Sequence, residues 1–251
     1  MPIPHHLKKF SSKASLVAED LFFKSNKITN LAELSKAPEN CIFSPITKIR
    51  PRLEEKLDLK PGPNVIKPIY LSEKENIAVF CDFMGFGAPM WAWVFEQLVT
   101  YGIKKFIYIG VFGQVNPKYN LDKIYVVKKA LRDEGTSYHY SDDTDSWAYP
   151  DQELTQNLEK MGAQPINIWT TDAMFKQTLT EIDYAQKNDI AGFEMELSAL
   201  FTIAKEKSVQ IASLQVISDY YLDGEYASVY SSETCQKNLD KAVDMAIAIL
   251  K

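Results

Sequence analysis

The chain has 251 residues, 46% of them hydrophobic, and a formal net charge of −5. That size and apolar content suit one sizeable α/β domain and exclude a disordered chain, and the acidic balance with dispersed Lys and Arg excludes nucleic acid as the main partner. Cys41, Cys81 and Cys235 form no CxxC pair and the three histidines lack ligand spacing, so no disulfide framework, metal or cofactor is expected.

Taken in order, residues 1–60 are the less regular part of a single domain spanning 1–251. Its N-terminus, MPIPHHLKKFSSK, lacks the apolar stretch of a signal peptide, and no apolar run reaches the ~18 residues of a membrane span, so a cytoplasmic protein without membrane partners is expected. Ser15 to Ser25 reads as a short helix, Cys41 to Phe43 as a short apolar piece, and Lys60-Pro61-Gly62-Pro63 as a turn. Ile77 to Phe83 has strand length and leads into a glycine-bearing turn, Gly85 to Pro89. A helix from Pro89 to Tyr101 stops at Gly102, with Pro at its start and Gly at its end.

Phe106 to Gly110 and Lys123 to Leu131 are strand-like, Asp151 to Met161 a helix, and Ile166 to Thr171 a strand. Helices over Leu179 to Asn188 and Glu196 to Glu206 flank a short strand, Val209 to Ile217 is a buried strand, and Cys235 to Leu250 is an amphipathic helix. Strands alternating with helices imply an α/β layered fold around a central sheet, whose strand ends are where such folds place ligands.

Four stretches carry chemistry. Gly192-Phe193-Glu194-Met195-Glu196 puts two carboxylates around a methionine between a strand and a helix. In extended backbone Glu194 and Glu196 point one way and Met195 the other; the alternative is an acidic helix start. Ile217-Ser218-Asp219 ends the most apolar strand, where low-dielectric surroundings suit a general acid; the alternative is a cap for the next segment. Leu131 to Tyr140, containing Arg132-Asp133-Glu134-Gly135-Thr136-Ser137-Tyr138-His139-Tyr140, and Trp169 to Thr178 are polar loops after strands. His139 is either a ligand contact or a structural histidine.

Together, from about Ile77 to the C-terminus, these stretches resemble the purine/uridine phosphorylase-type nucleoside phosphorylase and nucleosidase superfamily. Glu194-Met195-Glu196 is similar to its ribose-binding EME motif, Ile217-Ser218-Asp219 to the strand that ends in the purine-contacting aspartate, and Gly85 to Pro89 to its glycine–proline turn. The loops at 132–140 and 169–178 resemble one branch, with Lys176 and Gln177 where that branch has Arg and Glu. The resemblance implies a three-layer α/β/α fold with a central mixed twisted sheet and a homo-oligomer, dimer or hexamer.

For the site, the resemblance implies Glu196 and Asp219 as catalytic residues, Glu196 holding the ribose and Asp219 serving the departing base. It implies Glu194, Met195, Met174, Phe175, Phe112, Gly113, Arg132, Thr171, Lys176 and His139 as substrate contacts, with His5 or His6 reaching a neighbouring subunit's site. The implied reaction is phosphorolysis of a purine or pyrimidine nucleoside, with inorganic phosphate as co-substrate.

The phosphate side departs from that pattern. Phe43-Ser44-Pro45-Ile46-Thr47 stands where the family has a GDPxR-like turn, and Tyr108 and Val111 stand where it has an Arg and a hydroxyl residue. A tyrosine cannot imitate a bidentate, always charged clamp. Arg50, Arg52, Arg132 or Lys176 are the cations left to supply it, and Phe112 is a candidate to narrow the pocket. A nucleosidase using water, with Asp82 a candidate base, and a non-catalytic nucleoside-binding relative are the alternatives.

Overall fold

The computed structural model of the chain describes residues 9–27, 37–222 and 224–251. In chain order these form α1 (Ala18–Asn26), β1 (Asn40–Ser44), α2 (Arg50–Lys56), β2 (Lys60–Asn64), β3 (Pro68–Ser72), β4 (Ile77–Cys81), α3 (Ala88–Tyr101), β5 (Lys105–Gln114), β6 (Tyr125–Asp133) and β7 (Trp147–Ala148). Then follow α4 (Gln152–Lys160), β8 (Gln164–Thr171), α5 (Leu179–Lys187), β9 (Ile190–Glu194), α6 (Leu197–Lys207), β10 (Gln210–Leu222), β11 (Glu225–Ser228) and α7 (Glu233–Leu250).

The architecture is α/β with a mixed sheet, as the alternation of patterns implied. Successive residues of β5 serve opposite layers. Phe106, Tyr108 and Phe112 pack with α1, α3 and α6, whereas Ile107 and Ile109 pack with α2, α4 and α7. This is the pleat at work: one strand feeds two cores because its side chains alternate. Every residue of β4 is buried, as expected of a strand covered on both faces. Helix α3 is delimited by Gly87 at φ 103° and Gly102 at φ 115°, conformations glycine adopts without strain, with Pro89 in its first turn.

One expected turn is a strand. Lys60 to Pro63 lies in β2, which pairs antiparallel with β3 at the end of the sheet order. Two prolines are tolerated there because an edge strand has one side free of ladder bonds.

Beyond the alternation, the sheet closes on itself. β5 pairs with β10 and β9, β10 with β6, β6 with β8, and β8 with β9, so five strands form a ring. The β5–β9 contact that shuts the ring is short, Gly113 opposite Phe193 and Gln114 opposite Gly192. It requires glycine. A Cβ on Gly192 would stand 2.0 Å from the Gly113 carbonyl oxygen, and one on Gly113 would stand 2.6 Å from the Phe193 ring. Closure brings the C-terminal ends of β5, β8, β9 and β10 together around the start of α6. Among the described residues no helix is long and apolar enough to cross a membrane.

Candidate active site

The two acidic stretches meet where the ring closes. β9 ends at Glu194, and Glu196 is the residue before the first turn of α6. Both side chains are buried, 5% and 6% exposed. They have different jobs. Glu194 accepts from the Thr170 hydroxyl through one oxygen and, through the other, from the backbone N–H of Glu196 at 2.7 Å and of Leu197 at 2.8 Å. It therefore caps α6 from inside the protein and satisfies donors that a helix start leaves unpaired. These three hydrogen bonds give Glu194 a structural role beside the substrate contact expected of it.

Glu196 is held more lightly. One oxygen accepts from the backbone N–H of Gly87 at 2.7 Å, and the other from the Tyr108 hydroxyl at 3.4 Å. The glycine-bearing turn before α3 and the tyrosine that stands in the arginine position thus converge on one carboxylate. Burial pushes both glutamates above the usual carboxylate range, and the charge of Glu196 raises Glu194 further. Hydrogen bonds donated to both carboxylates pull the other way. Burial, then the nearby glutamate charges, hold the Tyr108 phenol well above its ordinary value, so it serves as a neutral donor.

Asp219 is aimed by a bulge. The β10–β5 register shifts between Ile217 and Asp219, leaving Ser218 as the extra residue and Asp219 opposite Gly113. The Ser218 hydroxyl lies 2.6 Å from Asp219 Oδ1 and 3.3 Å from the Phe112 carbonyl oxygen. A Cβ on Gly113 would stand 2.9 Å from Asp219 Oδ2, so the missing side chain leaves room for this carboxylate beside the Phe193 ring. Burial raises the Asp219 pKa and the Ser218 hydrogen bond partly opposes it. The arrangement offers two carboxyl groups of raised proton affinity, Asp219 at the end of an apolar strand and Glu196 at the start of α6.

A support layer lies behind these groups. The backbone N–H of Ser198 donates to Thr170 Oγ1 at 3.0 Å, and its hydroxyl donates to Glu134 at 2.8 Å. Glu134 also accepts from the Ser137 N–H at 2.9 Å. The loops after β6 and β8 are tied side by side, since Trp169 donates to Asp133 at 2.9 Å and Gly135 N–H donates to Asp172 at 2.9 Å. Tyr108, Gly87, Thr170, Ser198 and Glu134 were not among the expected site residues. Thr170 and Glu134 lie inside stretches that stood out, whereas Ser198 has no local signal at all.

The remaining expected contacts divide. Gly113 borders Asp219, and half-buried Met195 separates the two glutamates. Thr171 is buried and accepts from Ala173 N–H at 3.3 Å, shaping its own turn. Met174 and Phe175 are 40% and 91% exposed, and Lys176 shares their short turn.

Three expected contacts lie in other surroundings. Phe112 is 1% exposed and packs edge-on against Tyr125 in the core, so it does not narrow a pocket. Arg132 is buried, with Nε on Ser137 Oγ and Nη1 on the carbonyls of Asp143 and Asp145, while its buried Nη2 has no hydrogen-bond partner among the described residues. His139 stands 3.0 Å from Lys9 Nζ in a groove shared with Trp93 and Glu96, and that groove contains neither Glu196 nor Asp219. His5 and His6 lie outside the described residues.

Comparison with known proteins gives the family and the fold. The family model described as Phosphorylase superfamily matches residues 51–251. A DeoD-type purine nucleoside phosphorylase of Haemophilus ducreyi is 26% identical over 170 residues, covering 65% of this chain and 70% of that one. An uncharacterised protein of Acanthamoeba polyphaga mimivirus is 28% identical over 140 residues, which is 55% of this chain and only 56% of that protein's length. The solved uridine phosphorylase of Vibrio fischeri superposes with a TM-score of 0.70 at 20% identity, covering 86% of this chain and 93% of that one, and so shares the fold. With its family model spanning both the EME stretch and the aspartate strand, the chain belongs to the phosphorylase superfamily.

Proposed function

We propose that this chain cleaves the N-glycosidic bond of a nucleoside, with water rather than phosphate as the acceptor. The observation that carries the reading is the environment of Glu196: a buried carboxylate bridged by Gly87 N–H and the neutral Tyr108 hydroxyl. Tyr108 stands where the family resemblance places an arginine, and two of the four cations considered as replacements, Arg50 and Arg52, are paired with carboxylates. Arg52 pairs with Asp244 at 2.6 Å and Glu55 at 2.9 Å, and Arg50 lies 3.3 Å from Glu54 and 3.9 Å from Asp82. Arg132 holds loop carbonyls, and Lys176 sits on an exposed turn. Inorganic phosphate would enter a site that offers it carboxylates and a phenol, whereas water needs no cation.

In this reading Glu196 accepts the ribose hydroxyls and its charge opposes the positive charge that grows on the sugar. The C1′–N bond breaks with its electron pair going to the base, and Asp219 supplies the proton that the base needs. The oxygen of water bonds to C1′ and its proton passes to solvent, from which the Asp219 carboxylate regains the proton it gave to the base. Burial raises the proton affinity of Asp219, the direction a proton donor needs, and the relatives' printed names, purine nucleoside and uridine phosphorylases, support a nucleoside as the substrate.

The test is base release from a panel of nucleosides in phosphate-free buffer and again with added phosphate, followed by chromatography of base and sugar. Equal rates and free ribose are expected. Release that requires phosphate and yields ribose 1-phosphate would return the chain to phosphorolysis, and no release from any nucleoside would leave ligand binding without catalysis.

A further inference from the structure

Past Asp219 the chain forms a hairpin whose residues have no part in the reading above. β10 and β11 pair with Asp219 opposite Ser228, Tyr220 opposite Ala227, Tyr221 opposite Tyr226 and Leu222 opposite Glu225. Residues two apart on a strand share a face, and so do directly opposed residues on neighbouring strands. Asp219, Ser228, Tyr221 and Tyr226 therefore occupy one face of the hairpin. At its inner end Asp219 Oδ2 stands beside Gly113 and the Phe193 ring, at the base end of the proposed site. Two residues further out, about 6.8 Å along the strand, stand two tyrosines facing each other. Tyr226 is 66% exposed and Tyr221 is half-buried, so neither ring is consumed by the core.

We propose that Tyr221 and Tyr226 form the outer wall of the base subsite and select bicyclic over single-ring bases. This rests on the proposed nucleoside site. A base that receives its proton from Asp219 lies along this face of the hairpin. A single ring ends short of the tyrosine pair, whereas the second ring of a purine reaches it and gains a stacking surface. Aromatic faces hold bases without reading their edges, so the pair sets ring number rather than the identity of exocyclic groups. Asp219 supplies the proton, and the tyrosines supply the preference.

The experiment compares the parent protein with the Tyr221→Leu/Tyr226→Leu and Tyr221→Phe/Tyr226→Phe pairs. It reads kcat and KM for inosine, adenosine and uridine, and calorimetric Kd for free hypoxanthine and uracil. The leucine pair is expected to weaken hypoxanthine binding and raise purine-nucleoside KM by about fivefold or more, the lower end for a base–aromatic stack, with kcat within about twofold. Uracil and uridine are expected to be unaffected, and the phenylalanine pair to behave as the parent. The single leucine variants, read in the same way, serve if the double one does not fold. An unchanged hypoxanthine Kd in the leucine variants, equal weakening for uracil, or a parent that binds no purine overturns the inference. A parent that binds hypoxanthine through these tyrosines but releases base from no nucleoside retains the subsite and removes the catalytic reading.

Discussion

Removing Glu194 tests whether the EME stretch is two functional carboxylates or one functional and one structural. Its two oxygens take hydrogen bonds from the Thr170 hydroxyl and from two backbone N–H groups at 2.7 and 2.8 Å, in a side chain 5% exposed. Glu194→Ala leaves all three donors without that acceptor, and a buried unsatisfied donor costs about 1–3 kcal/mol. Relief of the buried carboxylate's own desolvation and entry of water into the small cavity offset part of this. Three such donors less those offsets leave a net loss of about 3–5 kcal/mol. In a protein of this size that lowers the melting temperature by roughly 10 °C.

Urea unfolding followed by far-UV circular dichroism at pH 7 measures the loss, with a thermal melt alongside. Glu194→Gln keeps one acceptor oxygen and is expected to fall between parent and alanine variant. Thr170→Val breaks the same chain of bonds at its next link, so the double variant is expected to lose less than the two singles together, by about 0.5–3 kcal/mol of coupling. A Glu194→Ala stability within about 1 kcal/mol of the parent would refute the capping role.

The other predictions concern the chemistry. Glu196→Gln is expected to lower base release by about a hundredfold or more, the scale for losing a group aimed at developing charge, while leaving the urea midpoint at neutral pH unchanged or higher; undiminished turnover would remove Glu196 from the ribose. Stability should fall with rising pH across the carboxylate window, because burial raises Glu196 from 4.5 to about 7 and Glu194 to about 8. The folded state then keeps protons that the unfolded chain has released, so the contribution is fully present below about 4.5 and lost as pH rises through about 8. Urea midpoints from pH 4 to pH 9 check the sign, and Glu196→Gln should flatten the curve; a midpoint that climbs over this range contradicts it. Asp219→Asn keeps the shape and removes the proton, so kcat should fall by about 10²–10⁴. The alkaline loss of rate in the parent, which follows deprotonation of the raised Asp219 carboxyl, should disappear in that variant; equal kcat in the two forms would refute the acid role.

Much of this was legible in the chain itself. Pro89 and Gly102 announced α3 because proline suits a helix start and glycine suits the left-handed residue that ends one. The apolar run at 77–81 gave β4 for the same kind of local reason, and the acidic pair before α6 and the aspartate after an apolar strand stood out as the candidate site. These signals are local: each depends on residues a few positions apart.

The division of labour at the site was not local. Glu194 and Glu196 are alike in the sequence, and only the register that sets Glu194 opposite Thr170, with the start of α6 above it, makes one a cap and turns the other toward Gly87 and Tyr108. The charge of Arg132 is visible in one dimension, whereas the carbonyls of Asp143 and Asp145 that its Nη1 bonds meet it only in three. Composition, periodicity and short spacings determined the elements and the chemical inventory. Ring closure at Gly113 and Gly192 decided which of those groups meet, because a backbone approach that no side chain permits joins strands some 80 residues apart in the chain.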